Sequence, residues 1–182
     1  SDEGPSACTT LELDFDKAED GRPLAGRTFV ADEWFPQLGI KISAKSHDGP
    51  QNVHPMIFDS ENIDESESSH LGSHNNACGG PGEWDGGKIG AQGEICELLG
   101  NVLIPSRKDG TSGDSEFGIL VFEFYEDTTV SSILLLNVDD DESQVMITPE
   151  DGTSTNITLS SVGQNCHFER SQSGIQGAAN SA

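Results

Sequence analysis

Apolar and polar residues alternate at period two along most of the chain, and no stretch sustains the 3.6-residue period of an amphipathic helix. Leu11, Leu13 and Phe15 alternate with Glu12 and Asp14; Ile40 and Ile42 flank Lys41; Leu120, Phe122 and Phe124 alternate with Val121 and Glu123. Successive side chains of a strand point to opposite faces, so each segment buries one face and wets the other. Thr28–Val30, Pro55–Phe58, Asn101–Ile104, Val130–Val138, Gln144–Thr148, Thr155–Leu159 and Cys166–Arg170 bring the expected strands to about ten. Asp-Gly pairs beginning at Asp20, Asp48, Asp85, Asp109 and Asp151 fall between these segments, where tight turns need positive φ. Strand number and turn spacing together predict an all-β fold, a single antiparallel β-sandwich of jelly-roll type. With 182 residues, one domain over 1–182 suffices.

Two segments depart from the strand rhythm. Residues 60–76 are acidic and serine-rich, and residues 78–93 carry Gly79, Gly80, Gly82, Gly86, Gly87, Gly90 and Gly93. We expect 60–96 to be a long acidic, glycine-rich loop insertion and 171–182 a small-residue tail. Cys8, Cys78, Cys96 and Cys166 lack the CxxC spacing of zinc ribbons and thioredoxin-like sites, which leaves two disulfides as the simpler reading. Of three possible connectivities the sequence favours Cys78–Cys96, stapling the glycine loop, with Cys8–Cys166 tying the first strand to one of the last. Disulfides imply an oxidising, extracellular compartment. Asn156-Ile157-Thr158 is an N-glycosylation sequon.

Charge narrows the partners. Asp and Glu number 32 against 9 Lys and Arg, a net charge of −23, so nucleic acid and anionic membrane surfaces are repelled and cations are attracted. The longest apolar runs, Ile119–Phe122 and Ile133–Leu136, are far short of the ~20 residues of a membrane span, which excludes helical membrane insertion. Those same runs argue for a packed core rather than disorder. Ser1 opens into polar sequence with no basic-then-apolar leader, so the chain reads as already processed or as a fragment.

The densest acidic cluster, Asn137 to Glu142, follows the strongest predicted strand. Asn137, Asp139 and Asp141 present side-chain oxygens at alternating positions as an EF-hand does. Glu142 and Thr148 then stand where that loop needs Gly and Glu, so the cluster is no EF-hand. It remains a candidate Ca²⁺ site, because crowded carboxylates repel one another unless a cation intervenes; a solvated acidic turn is the plainer alternative. Further oxygen donors are Asp14 and Asp16 on the first strand, Asp59 and Asp64 around the serine-rich loop, and Asn101 and Asp114 near the middle. A sandwich gathers its loops at two ends, where six to eight such oxygens converge on calcium. His70 and His74 stand four apart beside Gly72 and serines that disfavour the helix a zinc pair needs. No G-x-S-x-G elbow, Walker loop or H-E-x-x-H is present, and the chain is not expected to be an enzyme. Trp84, on the glycine loop, is the candidate sugar contact; a loop anchor buried under its own glycines is the alternative.

The middle of the chain resembles a known group of domains. Ile57-Phe58-Asp59-Ser60, an acidic loop ending Leu71-Gly72, Cys78-Gly79-Gly80-Pro81-Gly82, Leu99-Gly100-Asn101-Val102-Leu103-Ile104, Phe122-Glu123-Phe124, Val130-Ser131-Ser132-Ile133 and Leu136-Asn137-Val138-Asp139 carry the likeness. They resemble a family of secreted β-sandwich domains frequent in predicted extracellular proteins of marine microbes and algae, including bacterial proteins with PEP-type sorting signals. Leu13-Asp14-Phe15-Asp16, Asp32 and Leu38-Gly39-Ile40 fit its opening pattern. The resemblance implies a jelly-roll-like fold, an extracellular location and a calcium role for acidic loop residues, and no established enzyme activity. The chain departs from it at Ser68-Ser69-His70-Leu71-Gly72, where Asp-x-Asp-Leu-Gly is expected, leaving Asp64, Glu65 or Glu67 to substitute. It departs again at Asn137, which replaces an aspartate.

Two functions follow as expectations. One is a calcium-stabilised structural subunit that packs with copies of itself in a filament, sheath or surface coat. The other is a monomeric carbohydrate-binding or adhesion module holding extracellular polysaccharide through Trp84.

Overall fold

The computed structural model describes residues 10–46, 52–63, 71–82, 95–107, 118–136, 138, 143–160 and 167–177, the last segment and residue 77 by backbone alone. Strands dominate, as the alternation requires. β1 (Ile40–Ser46) pairs with β4 (Gly118–Phe124), β2 (Val53–Asp59) with β3 (Asn101–Arg107), β5 (Thr128–Leu136) with β8 (His167–Gly177), and β6 (Gln144–Ile147) with β7 (Thr155–Thr158), all antiparallel. Helix among the described residues is confined to a four-residue turn, α1 (Phe35–Leu38), a 3-10 turn at Asn76–Cys78 and the single 3-10 residue Leu71. No helix of the described residues is long and apolar enough to cross a membrane.

Residues 27–34 connect the first two ribbons. Arg27 N donates to Ile57 O at 2.7 Å, Ile57 N to Thr28 O at 2.8 Å and Val30 N to Pro55 O at 3.0 Å, so this segment runs along the free side of β2. It then crosses to β1, where Ile42 N donates to Ala31 O at 3.0 Å and Ile40 N to Trp34 O at 3.2 Å. Pro55 stands directly opposite Pro105 in the β2–β3 ladder. Neither has an N–H to donate, and the pairing survives because opposed residues in an antiparallel ladder alternate between bonded and non-bonded pairs.

The β2–β3 ribbon is apolar on both faces. Ile57 and Leu103, opposite each other, face a cluster with Ala18, Leu24, Val30, Trp34, Ile40, Ile42, Phe122 and Phe124. Phe58, Ile104, Met56 and Val102 face a second cluster with Leu71, Ile63 and Leu136. Trp34, 1% exposed, anchors the first: its ring meets Phe15 edge-to-face at 5.7 Å and its Nε1 donates to Lys17 O at 3.1 Å. A buried indole needs that acceptor.

Eight of the expected strands form within the described residues, and two do not. Thr28–Val30 makes a single bridge, Phe29 to Met56, with the flanking bonds above. Leu11–Phe15 makes no strand because Phe15 turns to φ 62° and the Asp14 carboxylate accepts Asp16 N at 3.0 Å, closing a local turn instead of a ladder. The expected tail beginning at residue 171 is strand through Gly177, paired along β5. Two of the Asp-Gly turns lie within the described residues, and both place glycine at positive φ, Gly21 at 80° and Gly152 at 77°. Those at Asp48, Asp85 and Asp109 lie outside the described residues.

Candidate functional site

Three chain segments meet where β2 ends and β3 begins. Asp59, the last residue of β2, is opposite Asn101, the first of β3. The Asn101 amide is the fastener: its Nδ2 donates to Leu24 O at 2.8 Å and Phe15 O at 3.2 Å, tying the ribbon to the N-terminal loop 77 and 86 residues earlier in the chain. Asp16 answers from that loop, its Oδ1 accepting Asn101 N at 3.1 Å. Gly100, at φ 63°, makes the approach possible, since a Cβ there would stand 2.9 Å from the same oxygen. Asp59 turns the other way: Oδ1 accepts Glu61 N and Asn62 N, each at 3.1 Å, and Oδ2 accepts Asn62 Nδ2 at 3.0 Å, so the carboxylate folds the chain into the serine-rich loop.

The base of the stapled loop is joined to the same ribbon end by a directed chain of hydroxyls. Ser60 and Ser73 are both fully buried. Ser60 Oγ donates to Gly100 O at 2.6 Å, which commits its one hydrogen; Ser73 therefore donates to Ser60 Oγ at 2.5 Å, and Ser73 Oγ accepts Leu99 N at 3.0 Å. Ser73 N to Ser60 O at 2.8 Å and Asn75 N to Ile95 O at 2.9 Å add backbone bonds. Buried Asn75 then organises the 3-10 turn, its side chain accepting Cys78 N at 3.1 Å. Cys78 is disulfide-bonded to Cys96, with a Cα–Cα distance of 5.4 Å, so the expected staple is present.

The remaining expected residues divide cleanly. Asp14, Asp16, Asp59 and Asn101 gather at this ribbon end. Among the described residues, Asp16 Oδ2 and Asn101 Oδ1 meet no hydrogen-bond donor, and no group of three or more His, Cys, Asp and Glu is placed to hold a metal ion. A calcium ion here, wanting six to eight oxygens, would draw on groups beyond these. Asn137, Asp139, Asp141, Asp64, Asp114, Trp84, His70, Cys8 and Cys166 lie outside the described residues. Asn156 is on β7, exposed and in register with Met146 of β6.

Sequence reasoning missed the two serines and the aromatic seat of Lys41. Ser60 and Ser73 sit in or beside a stretch whose composition reads as loop, and nothing local marks them as buried. Lys41 Nζ lies 4.5 Å from the Phe35 ring centre and 5.5 Å from that of Tyr125, the rings meeting edge-to-face at 5.2 Å. The ammonium rests on ring quadrupoles in a chain crowded with carboxylates. In comparisons with known proteins, no family model, no curated protein and no solved structure matches the chain.

Proposed function

We propose that the chain is an extracellular, calcium-binding β-sandwich of jelly-roll type that acts as a structural subunit of an extracellular assembly such as a filament, sheath or surface coat. The observation that carries this reading is the charge. At −23, copies of the chain repel one another, and a divalent cation is the simplest agent that both screens and bridges them. The Cys78–Cys96 disulfide supports an oxidising compartment. The sandwich is supported by residues 27–34, which bond to two antiparallel ribbons in turn and so bring β2 and β1 together. Asn137, Asp139 and Asp141, directly after β5, are the proposed calcium ligands, with Asp64 and Asp114 as further donors.

Sedimentation velocity in millimolar calcium and again in EDTA tests this. Large species in calcium that dissociate on chelation support the bridged subunit, and a monomer in both buffers refutes it. A site with a dissociation constant of ~10⁻⁴ to 10⁻³ M, typical of extracellular modules, adds about 2.7 kcal/mol at a hundredfold excess of calcium, so chelation should also lower the melting temperature. A second reading, the monomeric carbohydrate-binding module, is favoured by the half-buried Phe35 and Tyr125 rings, an aromatic pair outside both core clusters with Lys41 seated on it. Retention on glycan columns that survives Trp84→Ala would remove Trp84 as its contact residue.

A further inference from the structure

We infer that Asn156 carries an N-linked glycan whose first sugars lie on Met146. The chain contains one Asn-x-Ser/Thr sequence, Asn156-Ile157-Thr158. In the structure it occupies β7, and the two residues the modification needs stand on one exposed face. Residues two apart on a strand share a face, which puts Asn156 and Thr158 together and sends Ile157 to the other side. Asn156 and Thr158 are exposed, whereas Ile157 is half-buried. The register sets Asn156 opposite Met146 and Thr158 opposite Gln144, so the wet face of this ribbon consists of Gln144, Met146, Asn156 and Thr158.

Met146 is the second, independent observation. It is 65% exposed, the most exposed of the large apolar side chains in the described structure, on a chain otherwise rich in surface carboxylates. Directly opposed residues of an antiparallel pair hold their Cβ atoms roughly 4.5–5.5 Å apart, so a sugar joined to Asn156 Nδ2 would start within reach of the Met146 thioether. The apolar face of a pyranose ring covers such a side chain without asking it for hydrogen bonds, and the ring hydroxyls stay in water.

The reaction is an ordinary amide glycosylation by the secretory machinery on the unfolded chain. A bond forms from Asn156 Nδ2 to C1 of the first sugar, the C1–O bond to a lipid diphosphate donor breaks, the lipid diphosphate departs, and one amide proton is lost to base. The inference rests on the extracellular reading, because only a chain that enters the secretory route meets that donor.

The test is expression of the full chain behind a cleavable leader in a eukaryotic secretory host. Export with the Cys78–Cys96 bond formed is scored separately from occupancy, so a failed extracellular reading and a failed glycan are told apart. Expected results are a glycopeptide containing Asn156, conversion of that residue to aspartate by peptide N-glycosidase, and loss of the glycan in both Asn156→Gln and Thr158→Ala. Met146 and Met56 are the only methionines, and Met56 packs in the second cluster, giving an internal reference. Dilute peroxide should oxidise Met146 several-fold more slowly, relative to Met56, before deglycosylation than after it. Exported, folded protein with unmodified Asn156 overturns the inference. An occupied Asn156 with Met146 oxidised at the same rate in both forms overturns the packing of the sugar on Met146.

Discussion

Replacing Ser73 with alanine should cost more than replacing Ser60, although both are fully buried and bonded to each other. The difference follows from which end of the chain Leu99 N–H → Ser73 Oγ–H → Ser60 Oγ–H → Gly100 O is cut. Ser73→Ala strands the Leu99 N–H, and an unsatisfied donor shielded from water costs about 1–3 kcal/mol, with the lost bond to Ser60 adding to it. Ser60→Ala strands only the Ser73 hydroxyl, which can turn, and leaves Gly100 O still accepting from Ser60 N at 3.1 Å, so about 1 kcal/mol is expected. The double variant should then cost about as much as Ser73→Ala alone, since the hydroxyl that Ser60→Ala strands is gone. The two sites are therefore coupled by roughly 1 kcal/mol, in the usual range for contacting residues. Urea unfolding at constant pH measures each midpoint, with m unchanged if only native-state stability moves. Equal costs for the two single variants, or strict additivity in the double, would refute the directed chain.

Other perturbations follow from the same geometry. Opening the Cys78–Cys96 bond, by reductant or by Cys78→Ser with Cys96→Ser, releases a loop of sequence separation 18 and should cost about 3 kcal/mol, read as a fall in melting temperature. Asn101→Asp should destabilise more than Asn101→Ala, because a carboxylate would face the Phe15 and Leu24 carbonyls beside Asp16. Its folded-state pKa would be raised, so the deficit should shrink as pH falls toward the unfolded value of about 3.9 and be largest near pH 7, measured as chemical stability against pH. Gly80→Ala would set a Cβ on the His74 carbonyl and should disorder the stapled loop. Gly79→Ala, at φ 86° with open space around it, should cost only about 1 kcal/mol, and circular dichroism with melting of the pair separates clash from backbone strain.

How much of this was legible depends on the range over which each feature is decided. The Asp20-Gly21 and Asp151-Gly152 turns could be read from two letters because the need for positive φ is met within the dipeptide. The staple was legible because Cys78 and Cys96 bracket a run of glycines. Leu11–Phe15 misled because its alternation is only partly real: Leu13 and Phe15 pack on the first cluster while Leu11 is 55% exposed, no strand among the described residues partners them, and the Asp14 side chain satisfies the backbone locally. Alternation suggests which residues face a core; it does not report what lies beside them. Ser60 and Ser73, 13 residues apart across an acidic loop, are joined only by the fold, and a serine-rich composition hides the two that are buried. Asn101 reads from the sequence as an oxygen donor, while its fold role lies in the two hydrogens of its amide.

The acidic residues have a local task besides their shared charge. Asp14 accepts Asp16 N, Asp20 accepts Arg22 N and Asp151 accepts Thr153 N, each side chain closing a turn on the residue two ahead. An asparagine carbonyl oxygen can make the same bond, so these turns need an acceptor and not a charge. Charge and fold can therefore be separated. The double variant Asp20→Asn and Asp151→Asn, at two positions outside the proposed ligand sets, raises the net charge of −23 by two while keeping both turn bonds, and exposed substitutions of this kind usually shift stability by within about 0.5 kcal/mol each. If repulsion between copies is what calcium overcomes, the variant should melt as the wild type does and sediment as large species at a lower calcium concentration. An unchanged calcium requirement at unchanged stability would mean that specific ligands, and not the summed charge, set the demand for the cation.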